Sequence, residues 1–133
     1  MTLVDTNVLI DILTGDPVWA KRSIEALDAC RRRGPLSIND TVYAELAAGF
    51  AAQAELDEAI VEMGLRLAPM TRPALFLAGQ AFRRYRASGG QRPNVLADFF
   101  IGALASAEGW PLVTRDERLY RTYFADAAIV AVA

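Results

Sequence analysis

Four acidic residues of this 133-residue sequence, Asp5, Glu45, Asp98 and Asp116, stand in or against apolar stretches, where a charged side chain needs a partner. Asp5 follows Leu3-Val4 directly, and Asp116 comes just after Leu112-Val113-Thr114. Asp98 interrupts Val95-Leu96-Ala97 and Phe99-Phe100-Ile101, while Glu45 sits beside Leu46 in an apolar-periodic segment. Each has a purely structural alternative. Asp5 suits a helix N-cap, Asp116 a turn, Asp98 the positive end of a helix macrodipole, and a helical glutamate such as Glu45 is ordinarily solvated. Gathered together, the four would repel, since two like charges about 4 Å apart cost roughly 4 kcal/mol at an effective dielectric near 20. A divalent cation reverses that sign. Mg²⁺ and Mn²⁺ take oxygen ligands and retain waters, and either can polarise a phosphoryl oxygen and acidify an attacking water.

What the sequence lacks narrows the chemistry further. There is no histidine, which removes the Ser-His-Asp triad, paired-histidine phosphodiester cleavage and the HExxH zinc site. Lys21 is the sole lysine and follows no glycine-rich loop, so a P-loop is excluded as well. Cys30 is the single cysteine and falls at helical spacing from Ile24 and Leu27, as a core or half-buried position would. The formal charge of −2 turns mildly positive once the four acids are set aside, leaving 14 basic against 12 acidic side chains. Thirteen of the 14 are arginines, whose forked donors suit phosphates. Arg31 to Arg33 read as helix-end charge. Arg86 and Arg92, ahead of Asp98, and Arg115, beside Asp116, are the candidates for holding a polyanion such as RNA.

The elements that must position these acids alternate along the chain. Residues 2–4 read as a strand, Asp5-Thr6-Asn7 as a polar corner, and Val8, Leu9 and Ile12 as the face of a helix. Asp16-Pro17 has the form of an N-cap and first helical residue, with Ala20, Ile24, Leu27 and Cys30 facing inward. Further strands are expected at 36–38, 65–68, 111–114 and 129–132. Between them come a helix capped by Asn39 or Asp40 with Val42, Leu46 and Phe50 inward, and one over 54–63. A third, capped by Thr71, turns Leu75, Ala78, Phe82 and Tyr85 inward, and a fourth runs from Pro93 or Asn94 to about 107. Such alternation predicts an α/β fold, one domain over 1–133, with an open, mostly parallel sheet of about five strands and helices on both faces. Sites in such sheets lie at the carboxyl ends of strands. The apolar runs are far shorter than the roughly 20 residues of a bilayer span, and the amino terminus has no basic region, so a cytoplasmic protein with no membrane association is expected.

The segments Leu3-Val4-Asp5-Thr6-Asn7-Val8-Leu9-Ile10-Asp11, Tyr43-Ala44-Glu45-Leu46, Leu96-Ala97-Asp98-Phe99-Phe100-Ile101-Gly102-Ala103 and Leu112-Val113-Thr114-Arg115-Asp116 appear in an order that resembles the PIN-domain nucleases. Within that family the likeness is to toxins of the VapC type. The resemblance implies that Asp5, Glu45, Asp98 and Asp116 are catalytic and bind one or two Mg²⁺ or Mn²⁺ ions, with Thr6, Asn7 and Thr114 as polar support. It further implies an endoribonuclease acting as the toxin of a type II toxin-antitoxin pair, a VapB-type antitoxin partner and a homodimer. Two rival readings remain open from the residues. One is a PIN-like fold kept as a non-catalytic binding module, against which four intact acids speak. The other is an aspartyl-phosphate phosphatase, which normally needs a lysine at a strand end, where Lys21 is not expected.

Overall fold

The computed structural model describes residues 1–133. Its sheet is built from β1 (Thr2–Val4), β2 (Leu36–Asn39), β3 (Leu65–Ala68), β4 (Leu112–Thr114) and β5 (Ile129–Ala131), in the order β3-β2-β1-β4-β5, with every pairing parallel. All residues of β1, β2 and β4 are buried, as expected of strands covered on both faces, whereas the edge strands β3 and β5 are partly exposed. The covering helices are α1 (Thr6–Thr14), α2 (Ala20–Arg31), α3 (Asp40–Ala47), α4 (Gln53–Glu62), α5 (Arg72–Ala87), α6 (Val95–Glu108) and α7 (Glu117–Tyr123). The chain walks outward from β1 through β2 to β3, then crosses back to β4 and continues to β5. With the right-handed crossovers such connections adopt, α1 to α4 cover one face and α5 to α7 the other. The direction of winding reverses between β1 and β4, and that seam is where open α/β sheets form their crevice. No helix is long and apolar enough to cross a membrane.

The expected α/β architecture, strand positions and parallel sheet are all present; the helical faces differ in instructive ways. Asp16 does not start α2. Its Oδ1 accepts from the backbone N of Val18 and of Trp19, both at 2.8 Å, and so caps a separate turn ahead of the helix. Ile24 is 44% exposed, and the inner face of α2 is Ser23, Leu27 and Cys30, because small Ser23 allows close approach to Asp11 of α1. Leu75 of α5 is likewise exposed. Ala78 is fully buried as expected and Phe82 and Tyr85 pack partly on the core, while Ala74 and Ala81 complete an alanine face that lets α5 lie close along α6. Phe50 lies beyond the end of α3 and packs on the core from the following loop. Helix α7 is an element the apolar pattern did not announce, since only Tyr120 of its seven residues is buried.

One close contact ties α6 to α7. A Cβ added at Gly102 would lie 2.6 Å from the Phe124 ring and 2.8 Å from that of Tyr120, both of which are buried. Gly102→Ala is therefore expected to destabilise the fold by about 1–3 kcal/mol through overpacking. Urea unfolding measures this, and an unchanged midpoint would mean that the rings can swing aside.

Candidate active site

Strand register builds the first part of the site. Leu3 pairs with Leu112 and Val4 with Val113, so the next residues, Asp5 and Thr114, come level at the carboxyl edge and point to the same side of the sheet. Thr114 Oγ1 donates to Asp5 Oδ2 at 2.7 Å, Thr6 N donates to Asp5 Oδ1 at 2.7 Å, and Asn7 Nδ2 reaches Oδ2 at 3.4 Å. Asp5 is thus the N-cap of α1 and a strand-end acid at once. The same polar residues connect two further acids. Thr6 Oγ1 donates to Glu45 Oε1 at 2.7 Å, and Thr114 Oγ1 accepts from Asp116 N at 2.9 Å. Asn7 Oδ1 accepts from Arg115 N at 3.3 Å, closing the loop after β4 onto the start of α1.

Glu45 and Asp98 are held by helices that one buried side chain joins. Asn39 caps α3 through Oδ1 to Val42 N at 3.0 Å, while its Nδ2 donates to the Phe100 carbonyl of α6 at 3.3 Å. Asp98 occupies the first turn of α6, its side chain 25% exposed, and meets Arg92 Nη2 at 3.4 Å. Burial pushes the Asp98 carboxyl up to about 6; the Asp5 charge adds to this, Arg92 offsets part of it, and Glu45 and Asp116 contribute further. Asp5, only 4% exposed, is also raised, chiefly by burial and despite its hydrogen bonds to Thr114 and Thr6. All four acids therefore share one electrostatic neighbourhood. They do not form a closed cage, for no three acidic side chains stand close enough to hold one ion among them.

The arginines have distinct surroundings. Arg115 makes a two-pronged pair with buried Asp11, at 2.7 Å from Nε and 3.0 Å from Nη2, and its guanidinium lies 4.9 Å from the Trp19 ring centre. Arg86 lies over Phe82 on the last turn of α5, and Arg92 is the only one of the three beside a site acid. Sequence reasoning passed over Asp11, although an acid inside Leu9-Ile10-Asp11-Ile12-Leu13 carries the same signal as Asp98. It also passed over Tyr120, which approaches Asp5 from the opposite end of the chain and carries no local mark.

The donor set suits a hard divalent ion. All candidate ligands are oxygens, two carboxyls are raised chiefly by burial with neighbouring acids adding to it, and Mg²⁺ is commonly held by only one or two carboxylates while keeping its waters. An open half-site with Asp5 and Asp98 at its centre meets that requirement without a closed cage.

Comparison with known proteins follows the same lines. The family model for the PIN domain matches residues 2–133. No curated protein matches the chain significantly. Among solved structures, the fold is similar to VapBC2 from Rickettsia felis bound to a DNA fragment from its promoter, at a TM-score of 0.76 and 18% identity, covering 99% of this chain and 98% of that one. It is also similar to VapBC-1 from nontypeable Haemophilus influenzae, at a TM-score of 0.74 and 17% identity, over 98% and 96% of the two chains. FitAcB from Neisseria gonorrhoeae gives a TM-score of 0.68 at 23% identity, over 97% and 96%.

Two outcomes test the electrostatics. Because the folded protein binds the Asp98 proton more readily than the unfolded chain does, that proton favours the fold. In the metal-free protein this Asp98 contribution should be whole below about pH 4 and be lost, on the order of 2 kcal/mol with solvent screening at a part-exposed group allowed for, as pH rises through 6. Asp98→Asn should remove that loss and be the more stable protein at pH 7; identical pH profiles of thermal unfolding would place the repulsion elsewhere. Arg115→Ala leaves the buried Asp11 carboxylate unpaired and should cost about 3 kcal/mol in denaturant unfolding, whereas Arg86→Ala should stay within about 0.5 kcal/mol.

Proposed function

The chain belongs to the PIN-domain family, and from that membership we propose that it is a metal-dependent endoribonuclease, the toxin half of a VapBC-type pair. The observation that carries the reading is the raised Asp98 carboxyl of α6, on which the charges of Asp5, Glu45 and Asp116 all act beside the sheet's switch point. Asp5, Glu45, Asp98 and Asp116 would hold Mg²⁺ or Mn²⁺. When bound, the ion supplies a Lewis acid for a phosphoryl oxygen and an acidified water.

The chain's own groups do the rest. Thr114 and Thr6 fix the orientations of Asp5 and Glu45 through short hydroxyl hydrogen bonds, so these carboxylates are set before substrate arrives. In hydrolysis, water oxygen bonds to phosphorus, the ester P–O bond breaks, and the water's proton ends on the leaving oxygen. The raised Asp98 carboxyl gives up its proton when the cation is held, so binding of the ion relieves the burial and repulsion that raise it. Arg92, exposed and joined to Asp98 by a loose 3.4 Å contact, can turn outward to a phosphate. Lys21 is exposed on α2 and belongs to no strand end, which leaves the phospho-aspartate reading without its lysine.

The antitoxin reading has its own support. An apolar groove of about 540 Å³ runs between α1 and α3, lined by Ile10, Leu13, Leu46 and Phe50, and reaches Glu45. Ile10 and Leu13 are exposed although strongly apolar. A partner segment lying in this groove would cover them and end at the acids. The structures that this fold resembles include VapBC2, VapBC-1 and FitAcB. A second copy of the chain is the other expected partner.

The test is cleavage of RNA by the purified protein with Mg²⁺ or Mn²⁺, against EDTA, Asp5→Asn and Asp98→Asn. Loss of an ion worth several kcal/mol to the transition state predicts a fall of at least about a hundredfold in each case. Cleavage undiminished in either variant, or in EDTA, would sink the proposal.

A further inference from the structure

Tyr120 Oη is the one buried side-chain polar atom without a hydrogen-bond partner. The residue is 1% exposed on α7, four positions past Asp116, and its ring lies against Gly102, one helical turn along α6 from Asp98. A Cβ at position 102 would press on this ring at 2.8 Å. The hydroxyl stands toward the Asp5 carboxyl, near enough to act on it as a weak donor but short of a formed hydrogen bond. Leaving a buried hydroxyl unpaired is costly, and phenylalanine would fill the same space without that cost. Phe124, which packs against Gly102 beside it, is an ordinary apolar ring, so the core itself does not call for the oxygen.

Building on the metal-dependent reading above, we infer that Tyr120 is a positioning residue, whose Oη donates to Asp5 when the site carries a divalent cation and so holds that carboxylate toward the ion. Asp5 Oδ2 has room for it, because Asn7 Nδ2 stands off at 3.4 Å while Thr114 Oγ1 occupies one lone pair. Outer partners that orient a metal ligand are worth about 10–100-fold in metal affinity.

Mn²⁺ titration of the full chain, read by the electron paramagnetic resonance of free Mn²⁺, tests this together with thermal unfolding of the metal-free protein. Tyr120→Phe should unfold at the same temperature as wild type or higher, yet bind Mn²⁺ about 10–100-fold more weakly. Equal Mn²⁺ affinity overturns the inference, and so does a clear loss of metal-free stability, which would mean that the hydroxyl is already bonded in the resting fold. Wild type that binds no Mn²⁺ would end both this inference and the metal-dependent reading. Wild type that binds Mn²⁺ and cleaves no RNA would end the nuclease reading alone.

Discussion

A carboxylate buried at the seam of two parallel strands must have its charge answered from within the fold. Asp5 is answered by the Thr6 backbone N–H, which belongs to the helix it caps, and by the Thr114 hydroxyl, which the adjoining strand brings level with it. These bonds reduce the cost of burial without removing it, so the carboxyl remains raised. Much of the arrangement depends on that tension. The β1–β4 register must hold to one residue, α1 must start at Thr6, and the loop beyond Thr114 must fold back so that Asp116 N reaches the same hydroxyl. A one-residue slip of β4 would turn Thr114 to the other face and leave Asp5 buried with half its partners.

Around this seam the charges fall into two groups with opposite consequences. Asp11 and Arg115 are neutralised by each other, with Trp19 against the guanidinium, and the pair ties α1 to the loop that bears Asp116. Among the four site acids, Asp5 and Glu45 are met by neutral hydroxyl and amide donors and Asp98 by the loose Arg92 contact, and none is paired with a cation as fully as Asp11 is. The fold thus pairs one buried acid fully while Asp5 and Asp98 stay raised, the contrast on which the proposed cation site rests. Perturbed carboxyls at a strand-end crevice are a recognised mark of such sites.

The overall architecture was legible because it rests on local signals. The apolar runs of β1, β2 and β4, the Thr71 and Asn39 caps, and the glycines that end α1 and α6 at φ 64° and 68° can each be read within a few residues. Inner faces were less legible. The α5 face is built from alanines, which apolar scales rank below Leu75, and burial there follows from how closely α6 approaches. Helix α7 escaped notice because its only buried residue is Tyr120, and a seven-residue helix with one inward side chain has no period to detect.

For the acids, the sequence by itself determined which residues were available for chemistry: carboxylates in apolar surroundings, a chain without histidine, and threonines and an asparagine beside the first and last of them. It also determined that Asp5 and Asp116 stand at strand ends, since strand and turn propensities are local. Only the tertiary structure decided that β4, more than a hundred residues from β1, lies next to it, that Asn39 draws α3 and α6 together, and that Arg115 is taken up by Asp11. It alone brought the Tyr120 hydroxyl near Asp5. The reason is physical: propensity and periodicity act over one or two turns of chain, whereas pairing between strands and the burial of a charge depend on which crossovers pack together.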